Sequence, residues 1–252
     1  TILPASAQKK EDKGLPLEAS RIVTISTDQG TWLSLDVHPD GSKIIFDLLG
    51  DLYELPINGG KANRITEGLA FDSQPKYSPD GKSILFLSDR SGGNNIWIIN
   101  REKEDTLQIT KGNNSKMQSA DWSPDGNYIA VSQGTRNFKL HLYHKEGGNG
   151  VQLIKKPDNF KVSEPTFSTD GRHIWYSQRT GAWQYNARLP QYQIGTYDRE
   201  DGEKEVMTSR YGSAFTPTLS PDGKWLVYGT RYNDKTGLIK RNAFYRKCTL
   251  VL

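Results

Sequence analysis

Four arginines occupy one recurring place in the chain. Arg90, Arg136, Arg179 and Arg231 follow a turn glycine by 9, 10, 8 and 8 residues. Guanidinium groups gathered on one face can hold carboxylates or phosphates, because the planar fork matches two oxygens at once. The same side chains serve equally as structural ion pairs, with Asp89 or Asp234 as partners. The stretch Ala182-Trp-Gln-Tyr-Asn-Ala-Arg-Leu-Pro-Gln-Tyr192 adds Trp183, Tyr185, Arg188 and Tyr192. Aromatics beside a cation suit a contact surface, and they suit a loop folded back on its own support just as well. These eight residues are the candidate binding set.

Little else promises chemistry. The chain holds no GxSxG, HExxH, Walker loop or GxGxxG pattern. Of its four histidines, His141 and His144 lie three apart on an expected strand, where side chains alternate, so they point to opposite faces. His38 fills a slot held elsewhere by serine, and His173 follows a turn. Asp198-Arg-Glu-Asp-Gly202 only superficially resembles a calcium loop, since its glycine comes one place early and no closing Glu fits. Neither a catalytic residue, a metal site nor a cofactor is expected in this chain. The single cysteine, Cys248, leaves no internal disulfide and no CxxC chemistry.

The arginines need a scaffold, and the chain repeats one. Pro-Asp-Gly occurs at 39–41, 79–81, 124–126 and 221–223, with Thr169-Asp170-Gly171 as a variant. Successive turn aspartates are 40, 45, 45 and 52 residues apart, the period of propeller blades. Pro presets φ, Asp bonds backbone amides and Gly accepts positive φ, so each tripeptide closes a hairpin. Apolar runs follow the turns, among them Ile44-Ile45-Phe46, Ile84-Leu85-Phe86-Leu87 and Tyr128-Ile129-Ala130-Val131. Further runs such as Leu52 to Leu55 and Ile96 to Ile99 precede short closing segments like Leu107 to Thr110. Consecutive apolar positions need cover on both faces, and sheets packed face to face as blades provide it. The expectation is an all-β chain: a β-propeller of four-stranded blades, about five repeats over 21–242, forming an incomplete portion of a longer propeller.

Composition narrows the function classes. Lys plus Arg is 33 against 29 Asp plus Glu, a formal charge of +4, and Lys240, Arg241, Arg246 and Lys247 crowd the end. The body is therefore near neutral, which argues against a nucleic-acid reader with its clustered basic face. No apolar stretch approaches the length of a membrane span. With 6 Trp, 12 Tyr and 8 Phe the chain is too aromatic to be a disordered polar one.

At the start, Ala5-Ser6-Ala7 has the small-x-small form of an export cleavage site. Residues 1–7 are read as a signal-peptide remnant and 8–20 as a polar linker, which places the protein outside the cytoplasm, periplasmic or extracellular. Arg21 to Ser26 reads as a closing strand, and 243–252 as an atypical tail.

The unit Ser78-Pro-Asp-Gly-Lys-Ser-Ile-Leu-Phe-Leu-Ser-Asp-Arg90, with Ile96-Trp97 and Ile109-Thr110, resembles the repeat of TolB-type (WD-like) propellers. A narrower resemblance lies in Phe46-Asp-Leu-Leu-Gly-Asp-Leu-Tyr-Glu-Leu-Pro-Ile-Asn-Gly-Gly60, Asn186-Ala-Arg-Leu-Pro-Gln-Tyr192 and Ser213 to Tyr228. These are similar to the N-terminal propeller region of exported, imidazolonepropionase-like amidohydrolases. That resemblance implies a metal-dependent hydrolase domain acting on C–N bonds elsewhere in a full-length protein, with any divalent metal bound there. It carries no catalytic residue onto this chain, whose sequence departs from the family after Asn242. The implied role is a non-catalytic docking or access-controlling module, whose partner is the hydrolase domain of the same protein. The alternative is a stand-alone TolB-like periplasmic module that binds another periplasmic protein.

Overall fold

The computed structural model describes residues 23–112, 116–179, 191–209, 213–230 and the backbone of 249–251. The segments expected to be signal remnant, linker and most of the tail lie outside that description. Residues 23–31 belong to a separate unit and carry no strand, so the described part of the expected closing segment, 23–26, is not a strand. Everything else discussed falls in the second unit, Trp32–Leu252.

Five antiparallel sheets follow one another along the chain. The first blade is β1 (Leu35–Val37), β2 (Lys43–Leu48), β3 (Asp51–Pro56) and β4 (Asn63–Arg64). The second is β5 (Asp72–Tyr77), β6 (Ser83–Ser88), β7 (Asn95–Asn100) and β8 (Asp105–Gln108). The third is β9 (Lys116–Trp122), β10 (Tyr128–Gly134), β11 (Lys139–His144) and β12 (Gly147–Gln152). The fourth is β13 (Lys161–Phe167), β14 (His173–Arg179), β15 (Gln193–Asp198) and β16 (Lys204–Val206). The fifth has β17 (Phe215–Leu219), β18 (Leu226–Gly229) and β19 (Thr249–Val251). Part of the expected tail is thus the third strand of the last sheet, Val227 pairing with Leu250. No helix occurs among the described residues.

Each Pro-Asp-Gly turn is built alike. The serine two places before the aspartate donates its hydroxyl to Asp Oδ1, as in Ser78–Asp80, Ser168–Asp170 and Ser220–Asp222. That hydroxyl also accepts the N–H five residues on, at 2.9 Å for Ser83 and 2.8 Å for His173. Asp Oδ1 accepts the N–H two residues on, 3.0 Å for both Lys82 and Arg172. The turn glycines take φ from 66° to 73°, a region where a Cβ is strained. The hydroxyl bonds hold Asp80, Asp125, Asp170 and Asp222 below the usual carboxylate range. In the first blade His38 replaces the serine and lies 2.7 Å from Asp40.

The core is divided among the seams between blades. Along β6, Ile84 and Phe86 join Ile45 and Leu52 of the first blade, while Leu85 and Leu87 join Ile129 and Val131 of the third. The third and fourth blades share Leu140, Ile154, Val162, Phe167 and Tyr176. Ile194, Ala214 and Tyr228 fill the seam between the fourth and fifth. Alternation along a strand thus feeds two seams at once, which is why these strands read as unbroken apolar runs. Each such side chain removed from water contributes about 1.5–3 kcal/mol. The first blade differs: Leu35 is 57% and Val37 45% exposed, whereas Tyr77, at the place of Val37 in the second blade, is 5% exposed. The face of β1 that matches the buried Tyr77 face of β5 is thus exposed.

Candidate functional site

Because each second strand runs away from its Asp-Gly turn, the arginines stand at the opposite end of the blades. The structure separates them by what lies beside each. Arg90 is spent inside its own blade: it reaches Asp72 Oδ2 at 2.7 Å and Ser88 Oγ at 3.0 Å, and lies over Phe86 and Trp97. Asp72 is 1% exposed. The partner is therefore not Asp89, whose Oδ1 accepts the N–H of Phe71 at 2.8 Å; Asp234 lies outside the described residues.

Arg136 is exposed on the loop joining β10 to β11, and Arg179 ends β14. Arg179 stands directly across from Lys161 at the head of β13. Like charges facing each other across a sheet are unfavourable. Burial, and then the charges of Arg179 and Arg136, push the Lys161 ammonium below its ordinary value. Among the described residues none of these three pairs with a carboxylate. The reason lies eight residues before each turn aspartate. There the second blade has Asp72, whereas the third and fourth have Met117 and Val162, buried at 2% and 1% exposure.

The cationic loops are firmly held. Val162 N–H donates to Phe138 O at 2.9 Å, Ser132 Oγ donates to Val162 O at 2.6 Å, and Asn137 Nδ2 donates to Asp158 O at 3.0 Å. The Arg179 guanidinium lies 5.5 Å from the centre of the Tyr192 ring. Tyr192 is itself fixed, its N–H donating to Ser213 Oγ at 3.0 Å and its ring meeting Phe215 edge-on. Trp183, Tyr185, Arg188 and Arg231, from the expected set, lie outside the described residues.

The innermost strands hold a second polar array. Asp36 Oδ2 accepts Tyr77 N–H at 2.8 Å, Lys76 lies 3.8 Å from Asp121, and Asp121 accepts the Thr166 hydroxyl at 2.9 Å. Burial raises the Asp36 carboxyl, and Asp121 raises Lys76. Gln74, Glu164 and Thr216 take φ of 53–54° at bulges immediately before prolines, where the backbone ordinarily stays extended. Each sends its N–H to the preceding blade: to Asp47 Oδ2, to Ser119 Oγ, and to Glu164 Oε2, at 2.8 Å in every case. With their oxygens committed to amides of the neighbouring blade, these carboxylates act as fasteners.

Between the first two blades Glu54 gathers Tyr77, Arg101 and Lys43, with Tyr77 Oη at 2.6 Å and Lys43 Nζ at 3.2 Å. Burial alone would raise the Glu54 carboxyl, but hydrogen bonds from Tyr77, Arg101 and Lys43 outweigh it and hold the group below its ordinary value. His141 Nδ1 lies 3.2 Å from Lys139 O, and burial pushes its pKa down. No group of three or more His, Cys, Asp and Glu able to hold a metal occurs among the described residues.

Sequence reading missed Lys161 and the bulges. The signal for the bulges was present in Gln74-Pro75, Glu164-Pro165 and Thr216-Pro217, each at nearly the same distance before its turn. A third device also recurs: Thr66, Thr110 and Thr208 accept the N–H of Leu52, Ile96 and Ile194 through their hydroxyls. These threonines tie the closing segment to the third strand in the first, second and fourth blades.

Known proteins share this architecture. The family model described as the TolB beta propeller domain matches residues 15–189. The chain is 26% identical over 211 residues to the uncharacterized peptidase YuxL of Bacillus subtilis, covering 69% of this chain and 31% of that protein. It is 29% identical over 159 residues to the uncharacterized protein Atu1656 of Agrobacterium fabrum, covering 55% and 52%. The crystal structure of TolB from Acinetobacter baumannii superposes with a TM-score of 0.63 at 24% identity, over 80% of this chain and 49% of that one. The chain thus spans about half of these relatives or less.

Proposed function

Since the chain belongs to the TolB beta propeller domain family, we propose that it is the docking or access-controlling module of an exported hydrolase-type protein. It binds through the blade ends opposite the Pro-Asp-Gly turns. The observation that carries this reading is the contrast at those ends: Arg90 is neutralised by Asp72, while among the described residues Arg136, Lys161 and Arg179 have no carboxylate partner. Charge left uncompensated on a rigid frame favours a partner of opposite sign. Tyr192 belongs to the same surface, and Trp183, Tyr185, Arg188 and Arg231, expected beside it from the sequence, lie outside the described residues.

Two lines support a hydrolase as the attached part. The longer stretches quoted from Phe46, Asn186 and Ser213 are similar to exported amidohydrolases, and the match to a protein described as a peptidase leaves most of that protein outside the matched part. By that resemblance a catalytic metal and the C–N bond chemistry would both belong to the attached part. Export accords with the small-x-small segment at Ala5-Ser6-Ala7 and with the likeness to TolB. A second reading, a stand-alone periplasmic interaction module, is favoured by the TolB likeness taken alone.

The test begins with the coding sequence beyond Leu252. Any hydrolase part found there is expressed separately and titrated with this chain by calorimetry. The expected result is saturable binding that the double variant Arg136→Glu/Arg179→Glu weakens about tenfold or more. A coding region that encodes no hydrolase leaves the stand-alone reading in its place.

A further inference from the structure

Three cations held together with no acid partner among the described residues are an unusual outcome for a folded surface. A protein with 33 basic and 29 acidic residues has carboxylates enough to pair them. Lys161 and Arg179 occupy directly opposed positions on neighbouring strands, and the Arg136 loop is tied to the chain around Lys161 through Phe138 and Asn137. The nearby carboxylate, Asp158, is engaged by Lys156 at 2.8 Å. Residues 180–190, which follow Arg179 directly, include Arg188 and no Asp or Glu. Tyr192 fixes the guanidinium of Arg179 from one side. The result is a pre-set fork with a second guanidinium and an ammonium beside it.

We infer that Arg136, Lys161 and Arg179 form a binding site for the carboxylate of a peptide segment, with Tyr192 as its backing. This deepens the docking reading and rests on the same blade ends being the contact face. A carboxylate is the ligand chosen because a planar fork meets its two oxygens in one plane. Phosphate sites add a cradle of backbone amides in glycine-rich loops, whereas the loop 134–138 is Gly-Thr-Arg-Asn-Phe with one glycine. The free protein keeps the cluster apart from acids at some cost, and an incoming carboxylate relieves it.

The test follows the arginine Nε–H signals of this chain by NMR. The probes are acetyl-triglycine with a free carboxylate, the same peptide as its amide, and inorganic phosphate. The free acid is expected to shift Arg136 and Arg179 saturably and the amide to leave them unmoved. Arg90, already bonded to Ser88 and Asp72, is the internal control and stays still. Arg179→Gln weakens acid binding about tenfold, and Arg136→Gln, on an exposed loop, gives the same direction should the first variant fold poorly. Equal responses to acid and amide, or none to either, would overturn the site. Phosphate saturating these signals below the concentration of the acid would overturn it too. Because no hydrolase part is used, failure here leaves the docking titration to be judged separately.

Discussion

The second and fourth blades put an arginine at the same end, one place apart in register, and use it in opposite ways. In the second, Arg90 closes on Asp72 and covers Phe86 and Trp97, so the charge serves the fold. In the fourth, Arg179 meets Lys161 across the sheet and rests on Tyr192, so the charge stays available. Two differences go with it: eight places before the turn aspartate stands an aspartate in the second blade and Val162 in the fourth, and Arg90 lies one place further past its strand pairing than Arg179. A repeat fixes where a side chain stands, but its neighbour fixes whether that side chain is consumed.

The largest way to break this comparison is Arg90→Ala. It leaves Asp72 charged and buried, and chemical denaturation should show a loss of about 3–5 kcal/mol, as for other broken buried pairs. Arg179→Ala should cost far less, so similar losses for the two would erase the distinction.

Next comes Glu54→Gln, which weakens the seam between the first two blades by about 2 kcal/mol. The pH dependence sharpens this prediction. Because the folded-state pKa of Glu54 is depressed, its contribution is present above the ordinary glutamate value near 4.3. It is lost as pH falls through that value and the lower folded one. Stability followed from neutral pH into acid should therefore fall less steeply in the variant.

Ser168→Ala removes the hydroxyl that bridges Asp170 and His173 N–H. It should lower stability by about 1 kcal/mol, measured by the denaturation midpoint. The smallest effect carries the opposite sign. Lys161→Met removes one of two facing cations and should stabilise the protein by about 0.2–1 kcal/mol. A destabilised Lys161→Met protein would show that the ammonium is compensated after all.

The blades were legible in the sequence because their signals are local. A Pro-Asp-Gly turn and the apolar run behind it lie within a dozen residues, and they fix a hairpin wherever they occur. The arginines were legible as positions for the same reason. Their roles were not. Asp89 or Asp234 was expected to pair with the arginines, yet the partner of Arg90 lies 18 residues back on the neighbouring strand. Comparing the blades from their turn aspartates would have singled out Asp72, since Met117, Val162 and Ala214 fill its place elsewhere. Lys161 gave no such signal, because only the pairing of β13 with β14 sets it against Arg179.

The sequence by itself determined the repeat, the hairpins, the two-faced apolar strands and the end of each blade at which the arginines emerge. These follow from φ preferences and the alternation of side chains along a strand, which act over a few residues. Only the tertiary structure decided which charges are neutralised, which bulges fasten one blade to the next, and which cations are left together. Coulomb interactions and desolvation depend on distances between segments that the chain order does not reveal.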